Sequence, residues 1–221
     1  MTAYRETGRG PAAAAIATTL GLAAVAWVVA IRQMSGMDMG VGTTLGSLAF
    51  FVAAWVPMMA AMMLPGAIPA VVRHVRVTGR ASAAPLFAVA YLAVWTLAGL
   101  AAYALYEPHG AVVAGLVTIA AGLYELTPLK QRARRLCQHD AGSGFRFGLH
   151  CIGSSIGLMA VLLAFGAMSV TWMVVVAVVV IAQKLLPPAP AVDVPLALAL
   201  VALGIVVATS PSSVPGLTPA M

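Results

Sequence analysis

The chain has 221 residues, of which 62% are hydrophobic and only 8% charged, with a net charge of +6. A soluble domain carries about 25% charged residues to wet its surface, so this composition excludes an ordinary soluble globule and makes lipid the expected solvent. The positive balance does not indicate nucleic acid, because the basic residues fall in short clusters between apolar runs, where they act as topology signals.

Arg5 and Arg9 precede an apolar run over residues 11–31. At roughly twenty residues it exceeds the core of a signal peptide, and no small-x-small cleavage site follows, so it is expected to be the first membrane span. A short loop over residues 33–43, reading QMSGMDMGVGT, leads to a second apolar segment, 44–72, that contains Pro57, Pro65 and Pro69. Each proline removes a backbone donor and crowds the preceding turn, so a straight helix is not expected there. Freed carbonyls are tolerated in a membrane where they face protein or a polar cavity.

A basic loop, 73–80, separates this segment from a third span at 83–106, and the turn Glu107-Pro108-His109-Gly110 leads into a fourth at 111–127. The longest polar stretch, 130–146, is expected to lie outside the membrane. Spans five and six are expected at 147–168 and 172–186, and a proline-rich connector, PPAPAVDVP, precedes a short seventh at 196–208. The expected fold is therefore all-α. It is one domain over residues 1–221, a polytopic transmembrane bundle of about seven spans, or six if the last does not cross. Small residues at four-residue spacing, Gly42/Gly46 and Gly153/Gly157, are expected where helices approach closely.

Eleven of the twelve basic residues fall on the side that holds the amino terminus, and only Arg32 falls on the other. The positive-inside bias then places the amino terminus in the cytoplasm. Cys137 and Cys151 lie on that side, where thiols stay reduced.

Methionine is the most informative residue type. Met34, Met37 and Met39 sit beside Asp38 in the first external loop, and Met58, Met59, Met62 and Met63 sit in PMMAAMMLP within the second span. Helical spacing puts Met58 with Met62 on one face and Met59 with Met63 on the adjacent one. Thioether sulfur is a soft, neutral donor suited to Cu(I), and it avoids burying charge in lipid. The two groups sketch a path, with capture outside and a ladder within, while Met168 and Met173 near its mouth and Met159 deeper could join it. Methionine also serves simply as flexible packing.

A second group on the cytoplasmic side comprises Cys137, His139, His150 and Cys151, donor types that bind copper and, with a less standard spacing, zinc. Glu125 is an ionisable group inside span four, and an ion pair is the expected reason for it, with Lys184 or Lys130 as the partner. Glu107 and His109 in the outer turn could assist capture or be hydrated. No nucleophile elbow, phosphate loop or dinucleotide fingerprint occurs, so enzyme chemistry of those kinds finds no support.

The segments from Trp55 to Pro69, AGLYELTPLK (Ala121 to Lys130), GLHCIGSSIGLM (Gly148 to Met159) and GAMSVTWM (Gly166 to Met173), followed by QKLL, resemble a bacterial family described as predicted metal-binding integral membrane proteins. The resemblance covers roughly residues 49–186 and implies a multi-pass protein of the bacterial inner membrane with bound metal and no established reaction. Relatives carry further cysteines at the positions of Ala133, Ser154 and Ser155, so the thiolate-rich site implied by the resemblance is reduced here to Cys137 and Cys151. The family pattern also has Gln at position 125 and Glu at position 183, the reverse of Glu125 and Gln183, which suggests that these two side chains touch.

The first functional expectation is a membrane protein that binds, and could translocate, a soft metal ion, most simply Cu(I), through the methionines and then the cytoplasmic cysteines and histidines. The competing ones are a non-catalytic scaffold or assembly subunit whose basic loops meet protein partners or anionic lipid, and a subunit of a copper-dependent membrane oxidoreductase.

Overall fold

A computed structural model describes residues 9–35, 44–140, 142–166 and 169–214. Met37, Met39 and Met168 lie outside the described residues. Among those described there are eight α-helices, a final 3-10 turn at Pro211–Ser213, and no strand.

Helix α1, Arg9–Met34, packs along α2, Leu48–Thr78. Ser47 caps α2 by accepting from the Phe50 amide at 3.3 Å, and Gly79 ends it in the left-handed conformation, φ 69°, with its amide bonded to the Val75 carbonyl at 2.8 Å. The three prolines do not divide α2: it is a single helix of 31 residues. Its middle is buried on all sides, because it also packs against α3, Ala83–Leu105, and α7, Val170–Leu185. Packing of this buried middle holds the helix together between the prolines, of which Pro57 and Pro65 are half-buried and Pro69 is exposed. The Trp55 indole donates to the Trp95 carbonyl at 2.9 Å and fills the space that the missing side chain of Gly99 leaves on α3.

Helix α4, Ala111–Glu125, turns by 67° into α5, Pro128–His139. Thr127 caps α5 and Pro128 occupies its first turn, both favourable at a helix start. The polar stretch expected outside the membrane thus begins as a helix. Lys130, Arg134 and Cys137 share its buried face, while Arg132 and Arg135 are exposed.

Helix α6, Gly144–Ala164, starts at a Ser143 cap and packs against α3, α4, α5 and α7. The last helix, α8, Pro190–Thr209, begins inside the proline-rich connector, six residues before the expected start, and packs along α4. That seam is close: a Cβ on Gly115 or on Gly204 would lie 2.6 Å from the other's carbonyl oxygen. Of the small pairs noted in the sequence, Gly153 faces Ala133 and Gly157 faces Tyr124, while Gly46 serves a turn with φ 72°.

Five helices, α1, α2, α3, α6 and α8, are long and apolar enough to cross a membrane, or six if the bent α4–α5 pair is counted as one broken span. The remaining apolar segment, α7, has 16 residues, about 24 Å at 1.5 Å per residue, shorter than a hydrocarbon core of about 30 Å. Large apolar side chains such as Leu86, Leu97, Val178 and Leu198 are exposed. That outward apolar surface is what a polytopic bundle turns to lipid, so the all-α expectation holds, with seven as an approximate count.

Candidate metal centre

The basic ends of α2, α5, α6 and α7 meet, and there the structure gathers polar side chains into two adjoining groups. The first is a closed ion network. The Lys130 ammonium pairs with Glu125 and lies 3.2 Å from the Gln183 side-chain oxygen, while the Gln183 amide donates to Glu125 at 2.7 Å. Arg134 pairs with Asp193 of α8 and donates to the Gln183 carbonyl at 2.9 Å; Gln131 donates to Asp193 at 2.7 Å. Glu125, Lys130, Arg134, Gln183 and Asp193 are all buried. Two cations meet two carboxylates, so the network is neutral, as a buried set must be. The expected contact between positions 125 and 183 is present. The expected pair of Glu125 with Lys184 is not: Lys130 lies one turn after the α4–α5 bend and takes that carboxylate, and Lys184, one residue after Gln183, leaves α7 in another direction.

Lys184 belongs to the second group. Its ammonium donates to the Tyr91 hydroxyl at 3.0 Å, lies 3.6 Å from the Met63 sulfur and stands over the rings of Tyr91 and Phe147. The Tyr91 hydroxyl is in turn 3.1 Å from the Cys151 sulfur, and the Cys137 thiol is close enough to interact electrostatically with Cys151. Both cysteines are free and buried. Met63, Cys151 and Cys137 thus converge on one corner from α2, α6 and α5, around one lysine.

A cavity of about 270 Å³ opens beside them, lined by Gly66, Arg73, Cys137, Gln138, Phe147 and Lys184. A much smaller space lies behind it, bounded by Cys137, Ser154, Ser155, Gln183 and Lys184. Positions 133, 154 and 155, where the resembling family carries cysteine, therefore border the same α5–α6 seam.

The histidines do not join the thiols. His139 is exposed at the end of α5, and His150 points to Asp140, with 3.2 Å between Nδ1 and the carboxylate. Among the described residues no three His, Cys, Asp or Glu side chains form a group that could hold a metal. One residue along α6 rotates a side chain by about 100°, which is why adjacent His150 and Cys151 face different neighbours. At the outer turn, the His109 ring nitrogens lie 3.0 Å and 3.2 Å from the carbonyls of Glu107 and Ala164, so this ring secures the C-terminal end of α6.

Met34, Met58, Met59, Met62 and Met63 are all buried, as are Met159 and Met173. Of the span-two quartet, Met63 is the member tied to the thiol corner, through Lys184. Nothing in the sequence singles out Tyr91 from Tyr103 and Tyr106 of the same apolar segment. Gly66 was equally silent.

Apolar helices able to cross a bilayer, with reduced thiols and a thioether gathered at one end, define a polytopic helical membrane protein with a soft-donor corner. A match to the PpoB2 family, described as a copper chaperone, spans residues 52–207, and the chain belongs to that family. The matched region runs from within α2 to within α8 and holds every residue of the thiol corner, whereas Met34, Met37 and Met39 precede it. No curated protein and no solved structure matches the chain.

Proposed function

We propose that this protein holds Cu(I) as cargo inside the membrane, on Cys137, Cys151 and Met63, and passes it on through the cavity at the basic end. The observation that supports this most directly is a pair of free, buried cysteines on neighbouring helices, one lining the cavity with Lys184 and the other against Tyr91, in a member of a copper chaperone family. Two thiolates and a thioether are soft donors, suited to Cu(I) and indifferent to hard ions. A structural zinc site has four N or S ligands, more than this corner offers.

Met62, Met59 and Met58 continue along α2 from Met63 and supply further weak sites, as stepwise movement of an ion requires. Met34, with Met37 and Met39 soon after it in the sequence, would serve capture at the other end. The bundle is read as lying in the inner membrane of a bacterium, with the amino terminus and the thiol corner on the cytoplasmic side, where eleven basic residues gather.

The test is a titration of the detergent-solubilised full chain with Cu(I) against a chromophoric Cu(I) chelator. Cys137→Ser or Cys151→Ser is expected to weaken binding about 100-fold, or roughly 2.7 kcal/mol, and Met63→Leu about tenfold. Leucine keeps volume and apolarity, so Met63→Leu should cost less than about 1.5 kcal/mol of stability. A double serine variant that competes for Cu(I) as well as the native chain would overturn the proposal and leave the methionines of α2 as packing.

A further inference from the structure

Lys184 is chemically out of place in a soft-metal corner. A cation beside metal ligands repels the ion they are to bind, yet the ammonium touches the Met63 sulfur and donates to the Tyr91 hydroxyl, which itself lies 3.1 Å from the Cys151 sulfur. Space has been left for it. A Cβ on Gly66 would lie 2.6 Å from the lysine Cδ, so the side chain crosses α2 only because residue 66 has none. Lys184 is half-buried at the cavity wall, and the fully buried cations nearby are already balanced, Lys130 by Glu125 and Arg134 by Asp193. Arg73 lines the same cavity as Cys137 and donates to the Asp140 carbonyl at 3.1 Å, whereas Lys184 touches the Met63 sulfur. Lys184 is therefore the one uncompensated positive charge in contact with the donors among the described residues.

We infer that Lys184 is the specificity-determining residue of this corner: its ammonium balances one of two thiolate charges, so that a monovalent soft cation leaves the site neutral and a divalent one leaves it charged. The inference rests on the Cu(I) reading above. Metal-bound cysteines are thiolates. Two of them with one ammonium carry a net charge of about −1, which Cu(I) or Ag(I) cancels, whereas Cd(II) or Zn(II) would leave an excess positive charge. Excess charge in a buried, membrane-embedded site is costly. Softness of the sulfurs selects among metals of one charge; the lysine selects the charge.

The experiment uses the full chain in detergent and reads protection of Cys137 and Cys151 from alkylation by a maleimide. Cu(I), Ag(I) and Cd(II) all favour sulfur, so the comparison separates charge from softness. In the native chain, equimolar Cu(I) or Ag(I) is expected to protect both cysteines, and Cd(II) to protect them at least tenfold less well. Lys184→Met and Lys184→Gln are expected to reverse the order, with Cd(II) protecting at lower concentration than Ag(I). Gly66→Ala, which displaces the lysine without removing it, should move in the same direction.

A lysine that merely packs would not change selectivity between cations of different charge. Equal protection of the native chain by Cd(II) and Ag(I) overturns the inference with no variant needed. An unchanged Ag(I)-to-Cd(II) ratio in either folded lysine variant overturns it too. If none of the cations protects the native cysteines, the Cu(I) reading itself is wrong, and this inference goes with it.

Discussion

Glu125 and Gln183 exchange a hydrogen bond between α4 and α7 while both reach Lys130. The position of the acid matters less than its presence, because either carboxylate would lie beside the same ammonium. Glu125→Gln alone leaves Lys130 buried without a counter-charge, and the loss of one partner from a buried pair typically costs about 3–5 kcal/mol. Adding Gln183→Glu should restore most of that stability. The check is a double-mutant cycle of unfolding in detergent: two single losses that simply add would show that the residues do not share one cation. The sequence pointed to this contact through exchanged residue types. It could not choose between Lys130 and Lys184, since the choice depends on the bend between α4 and α5 and on the direction in which each lysine leaves its helix.

Among the elements, α5 was the least legible. Its charged composition reads as a loop, yet Lys130, Arg134 and Cys137 recur at intervals of four and three along one buried face, as on a helix. Those charges can be buried only because carboxylates and carbonyls on α4, α7 and α8 meet them, and these contacts come from distant parts of the chain. The connector prolines argue for a later start to α8, yet Pro190 lies in its first turn, where proline is tolerated. The α4–α8 seam supports a direct test. Gly204→Ala places a methyl 2.6 Å from the Gly115 carbonyl and should cost about 1–3 kcal/mol as the helices are forced apart. Gly21→Ala on α1, with nothing within 4 Å of the added carbon, should be neutral or stabilising by up to about 1 kcal/mol. Thermal unfolding in detergent compares the two, and equal effects would mean that the seam is not tight.

For the whole molecule, charge and sulfur share one end. Arg73, Lys130, Arg134 and Lys184 surround the corner that holds both cysteines, and Cys137 borders the opening while Cys151 lies behind it. With that end facing the cytoplasm, a membrane-impermeant maleimide should label Cys137 in inverted bacterial membrane vesicles and spare it in right-side-out ones, and Cys151 should react more slowly than Cys137. Labelling only in right-side-out vesicles would reverse the assigned topology and place the thiol corner outside.

Sequence by itself determined the solvent, the fold class and the order of the apolar helices, because each follows from local composition: a run of some twenty apolar residues has little choice but to bury its backbone polar groups in a helix within lipid. It also supplied the candidate donors, since sulfur is visible in the residue names. Only the tertiary structure decided which of them meet. Cys137, Cys151 and Met63 come from three helices, and a rotation of about 100° per residue separates Cys151, facing Tyr91, from His150, facing Asp140. Such a meeting depends on how whole helices are packed, and no local pattern encodes it.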